Sequence, residues 1–200
     1  MTGYMARLLT VLGEPPMRYR DAVAWSRLER DLRVSLPAEF KELVDGYAPV
    51  EINGHLYLLH PATERWNLAE KIRSTSEAWS QIEWGDGEPE GDPRASLGAT
   101  ELRFGDADGL IPLASTNRGE TLFCAPKGGQ GTGSFFVENG EGEFFEYSMG
   151  FAEWLWRWLN GEEVTGPGGS AYSPGPVALR DLPMTPDERP RTRYGPSRDM

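Results

Sequence analysis

Two hundred residues suffice for one domain, or one domain with an appended tail, and seven Trp, seven Tyr and eight Phe supply ample aromatic material for a core. The formal net charge of -11 and the pI of about 4.7 repel nucleic-acid phosphates and anionic membrane surfaces. That balance argues against direct nucleic-acid binding and favours a basic protein partner. A single cysteine, Cys124, rules out an intramolecular disulfide and fits a reducing compartment.

The first twelve residues lack the long apolar region and small-residue cleavage site of a signal peptide, and no stretch approaches the roughly 18 apolar residues of a membrane span. A cytoplasmic protein is expected. Met5, Leu8, Leu9 and Leu12 recur at helical spacing, and Gly13, Pro15 and Pro16 close that run. A better-marked helix follows. Asp21 is suited to its N-cap, and Trp25, Leu28 and Leu32 share one face. Pro37 fits the first position of the next helix, with Phe40, Leu43 and Val44 as its apolar stripe and Gly46 as its end. The two helices read as an αα-hairpin.

The chain then extends. Residues 51–54 read as a turn, and 55–60 as a strand stopped by Pro61. A third helical stretch is expected from about Asn67 to Trp84, opened by a capping-box spacing of Asn67 and Glu70. The Gly-, Pro- and acid-rich stretch 85–98 reads as a loop without regular structure. Short apolar runs at 110–114, 121–125, 134–138 and 143–147 are bounded by Gly, Asn and Pro. The last two flank Asn139-Gly-Glu-Gly142, a hairpin signal. An antiparallel meander is the natural assembly of these runs. The final helix, 151–159, carries Phe151, Trp154, Leu155, Trp158 and Leu159 on one broad face that should close the core, while Trp156 lies on its flank.

From Glu162 onward, seven prolines and five glycines stand among few apolar residues. Such a composition reads as a disordered tail. The expected organisation is a leading helix and linker over 1–20, one domain over 21–161, and that tail over 162–200. The fold class is mixed α+β, with helices packed around a largely antiparallel sheet.

A search for chemistry finds none assembled. His55 and His60 lie five apart in one expected strand, so they face opposite sides and cannot share a metal. One thiol and two such histidines are too few for a structural zinc site. Cys124 sits in an apolar run, the setting of a buried structural thiol. Gly128 to Gly133 follows Lys127, the reverse of a phosphate-loop order, and reads as a turn. Asp106 and Asp108 lack the further oxygen ligands of a calcium loop. No catalytic residue, metal or cofactor is expected.

Trp25-Ser-Arg-Leu-Glu29, then Leu32 and Leu36-Pro-Ala-Glu-Phe-Lys41, is similar to the opening of the SUKH (Smi/Knr-type) family, where W-x-x-L/I-E leads to L-P-x-x-[FY]-K. Tyr47 and Glu51-Ile-Asn-Gly54 continue the pattern. Gly109-Leu-Ile-Pro-Leu-Ala114 with Gly119, and Phe151-Ala-Glu-Trp-Leu155, resemble the family's central and terminal segments. The resemblance spans roughly 21–161, and the leading helix, the acidic loop and the tail fall outside it. It implies helices around a largely antiparallel sheet, and an immunity protein that neutralises a bacterial toxin, often a nuclease. It also implies, as an alternative, a regulatory or scaffold module with an endogenous partner. The family brings no shared catalytic residues. An acidic inhibitor would dock on a basic toxin through exposed acids and an aromatic anchor. Asp86, Glu88, Glu90, Asp92, Asp106, Asp108 and Trp156 are the expected partner-binding residues.

Overall fold

The computed structural model describes residues 3–82, 91–127, 130–169 and 173–198. Among these stand six helices and an eight-stranded sheet in which every strand pair is antiparallel. The fold is therefore mixed α+β, as the sequence implies.

The leading helix α1 (Gly3–Leu12) buries Met5, Leu8, Val11 and Leu12. In α2 (Ala22–Leu32), Asp21 caps the helix by accepting from the Val23 and Ala24 amides, and Trp25, Leu28 and Leu32 are buried. Helix α3 (Ala38–Tyr47) buries Phe40, Leu43 and Val44. Gly46 lies inside α3 rather than ending it. A Cβ there would stand 3.1 Å from the Pro15 ring, so this glycine serves a close approach of two chain segments.

The family-like opening motif has a direct structural meaning. The Trp25 indole donates to Asp45 Oδ1 of α3 at 2.7 Å. Glu29 Oε1 accepts from the Leu36 amide at 2.9 Å and from Lys41 Nζ at 2.6 Å. These bonds fix the crossing of α2 on α3, and Phe40 packs edge-on against Trp25 in the seam.

Strands β1 (Val50–Ile52) and β2 (Leu56–Leu58) form a hairpin whose turn places Asn53 and Gly54 at positive φ. Helix α4 (Leu68–Ser80) begins as the capping-box spacing expects. The Asn67 side chain accepts from the Glu70 amide at 3.1 Å and donates to the Pro61 and Thr63 carbonyls. Within the stretch expected to be irregular, residues 93–97 form a short helix, α5 (Pro93–Leu97). Asp92 caps it and Pro93 occupies its first turn, where a missing amide hydrogen costs nothing.

The expected meander follows as β3 (Ile111–Thr116), β4 (Thr121–Lys127), β5 (Gln130–Glu138) and β6 (Phe144–Tyr147). One face of the sheet carries Ile111, Leu122, Cys124, Phe135 and Val137 in the main core. The other carries Phe123, Ala125, Phe136 and Phe144 in a smaller core closed by Trp79, Leu97, Leu102 and Phe104. Helix α6 (Phe151–Leu159) buries all five predicted face residues and packs against α1 and α3.

The segment after Glu162, expected to be disordered, extends the sheet instead. Strand β7 (Ala178–Asp181) pairs with β1, and β8 (Thr192–Tyr194) pairs with β7, giving the order β6-β5-β4-β3-β2-β1-β7-β8. Val177, Leu179 and Leu182 are buried, Asp181 holds Arg18 and Arg193, and Arg198 donates to the Leu159 carbonyl at the end of α6. Composition averaged over this proline-rich stretch hides one apolar alternation, Val177-x-Leu179, and that suffices for an edge pairing.

Candidate functional site

Among the described residues, a groove runs between α2 and α4. Its larger part, about 610 Å³, is floored by Leu28, Leu32, Ile72 and Phe104, and its charged lining is Asp31, Glu70, Arg73 and Glu77. A smaller part of about 440 Å³ continues past Ala69 toward Asp21, Val23, Arg27 and Glu64. Five acids and two arginines line the two parts together, so the groove is acidic. Val23, in the smaller part, is 69% exposed, high for an aliphatic side chain.

Both walls spring from one junction. The His60 carbonyl accepts from the Leu68 amide that opens α4, and the His60 ring is fully buried against Trp25 of α2, with centroids 6.0 Å apart. His60 Nδ1 accepts from the Ala62 amide, so Nε2 carries the proton and donates to Asp45 Oδ1 at 3.2 Å. Burial lowers the pKa of this imidazole, opposed by the hydrogen bond and charge of Asp45. His60 is thus a neutral tie between the helices. His55 lies apart, bonded to Asn117.

Ser76 stands one turn beyond Ile72 on the apolar stripe of α4. It is 7% exposed, lines the larger part of the groove, and its Oγ has no hydrogen-bond partner among the described residues. Opposite it the chain turns at Gly105 with φ +80, where a Cβ would fall 2.6 Å from Ser76 Oγ. Only glycine allows this approach.

The described residues among those expected to bind a partner, Asp92, Asp106, Asp108 and Trp156, stand on different elements. Asp86, Glu88 and Glu90 lie outside the described residues. Asp92 is engaged inside the fold. It caps α5 and pairs with Arg94 at 2.6 Å, and the Arg94 hydrogen bond holds its carboxyl below the usual range. Asp106 pairs with Arg103 at 2.6 Å and accepts from the Asp108 amide, while Asp108 projects into solvent beyond them. Both follow Gly105, at the Phe104 end of the groove. Trp156 is half-buried against the main core, and the Arg7 guanidinium of α1 lies over its ring at 5.9 Å. Asp31, Glu77 and Ser76 were not singled out by sequence. A serine continuing the Leu68–Ile72 stripe was the available signal, because a hydroxyl on an apolar helix face calls for a partner.

Several other groups are placed for structure. Burial pushes the Cys124 thiol up to about 12. Glu138 is buried, its pKa raised by desolvation, and it accepts from the Gly140 and Gly142 amides at the β5–β6 turn. Among the described residues no cluster of three or more His, Cys, Asp or Glu is placed to hold a metal, and no helix is long and apolar enough to cross a membrane.

The described residues thus form a mixed α+β domain with an acidic groove between α2 and α4. The family model SUKH_6, described as SMI1-KNR4 cell-wall, matches residues 23–155, and the chain belongs to the SUKH superfamily. No curated protein and no solved structure gives a match.

Proposed function

We propose that the chain is an immunity protein that binds and neutralises a toxin domain, the expected partner being a basic nuclease, and that it acts by occupancy without chemistry of its own. The acidic groove between α2 and α4 carries this reading, because the three carboxylates lining its larger part complement a cationic surface. Membership of the SUKH superfamily supports it. So does the use of His60 and Asp92 inside the fold, which leaves them committed to architecture. Opposite charge would speed encounter, and the apolar floor would slow release.

The test is co-expression with basic nuclease toxin domains, beginning with any encoded beside this gene. Restored growth, together with a 1:1 complex on size exclusion, is the expected result. A chain that is soluble and folded yet gives neither rescue nor complex would overturn the proposal.

A further inference from the structure

We infer that the α2–α4 groove receives a basic amphipathic helix of about three turns, contributed by the protein partner. This rests on the binding reading above and names the partner element that the same surface takes. Both walls are helices whose backbone hydrogen bonds are satisfied internally, so they present no strand edge for an extended peptide to join. A helix laid between two helices instead seats its ridge of side chains in the valley. Helix α2 has 11 residues and α4 has 13. At about 1.5 Å per residue these walls are roughly 16 and 20 Å long, which sets the occupant's length.

The chemistry of the occupant follows from the lining. Leu28, Ile72 and Phe104 on the floor ask for an apolar ridge. Asp31, Glu70 and Glu77 ask for Lys or Arg on its flanks. None of these three carboxylates takes part in an ion pair among the described residues. Arg73 is the opposing charge in the larger part of the groove, and it sets which flank carries fewer cations.

The probe is a labelled synthetic 14-residue peptide with a Leu/Ala face flanked by Lys and Arg. A matched control carries Glu at every cationic position. Fluorescence anisotropy against the full chain should show saturable, salt-sensitive binding of the basic peptide alone. The triple variant Asp31→Asn, Glu70→Gln, Glu77→Gln should weaken it by about tenfold, whereas Arg73→Gln should tighten it. Because the Asn67 cap uses the Glu70 backbone amide, the Glu70 change leaves that cap intact. Neutralising Glu141, Glu163 and Asp187, which do not line the groove, should leave affinity unchanged. Hydrogen-exchange protection on binding should map to 22–32 and 68–80.

Equal binding by the triple variant, equal weakening by the off-groove variant, or protection confined to other elements would overturn the inference. Growth rescue separates it from the broader proposal. Undiminished rescue and complex formation by the triple variant would defeat the groove helix while leaving neutralisation intact. Failure of the wild-type chain to rescue would defeat neutralisation while the peptide data still decide the groove.

Discussion

Leu179 decides whether the C-terminal segment is part of the folded domain. It is fully buried on β7, opposite Ile52 of β1, in the main core. Leu179→Ala removes three carbons, worth about 2.4 kcal/mol at roughly 0.8 kcal/mol per buried methylene. A residual cavity raises the expected loss to about 3 kcal/mol, within the usual Leu→Ala range of roughly 2–5. For a domain of this size each kcal/mol moves Tm by about 2–4 °C, so a fall of roughly 6–12 °C is expected. Urea unfolding of the full chain, followed by the fluorescence of its seven tryptophans, measures the loss directly. Arg189→Ala, at an exposed position of the same segment, is the control and should change stability by less than about 0.5 kcal/mol. If Leu179→Ala were as silent as the control, β7 would not be packed against β1 in solution, and the disordered tail expected from composition would stand.

Asp45→Ala strands the indole N–H of Trp25 and the Nε2–H of His60 in the interior, and should cost about 3 kcal/mol. Asp45→Asn, which keeps an acceptor oxygen, should recover part of that in the same urea experiment. The His60 pKa is lowered from 6.5 in the folded chain, so the unfolded chain takes up its proton first. The stability due to neutral His60 is therefore complete above about pH 6.5 and is lost as pH falls toward the folded pKa. The slope from this one group cannot exceed about 1.4 kcal/mol per pH unit, and the pH dependence should be shallower in His60→Gln when unfolding is measured from pH 7.5 to 5. With its pKa near 12 and its side chain buried, Cys124 should resist a thiol reagent at pH 8 in the native chain and react in full once urea unfolds it.

The parts of the fold legible in sequence were those whose signal is local. Asp21 and Asn67 announce two helices because a cap needs only its own next turn. The five apolar residues of α6 announce its face because the period is written within nine residues. The meander was visible through its turns, and the family resemblance through spacings that prove to be ties between α2 and α3. What escaped depends on distant partners. Leu179 is a strand residue because Ile52 lies opposite, and nothing near it in sequence says so. Asp92 is expected from sequence as a partner contact in an irregular loop, and α5 instead gives it an amide and an arginine. The groove escaped for the same reason. Asp31 and Glu77 belong to separate helices, and they become one surface only when those helices lie side by side.

The position of β7 next to β1 bears on how the polypeptide emerges from the ribosome. Val50 meets Asp181 across the sheet, so the first strand made waits for one of the last. Such distant pairings are slow steps. Until residue 182 clears the exit tunnel, the Ile52 edge is an open template, and a newly made chain is most exposed to aggregation or to capture by chaperones in that interval.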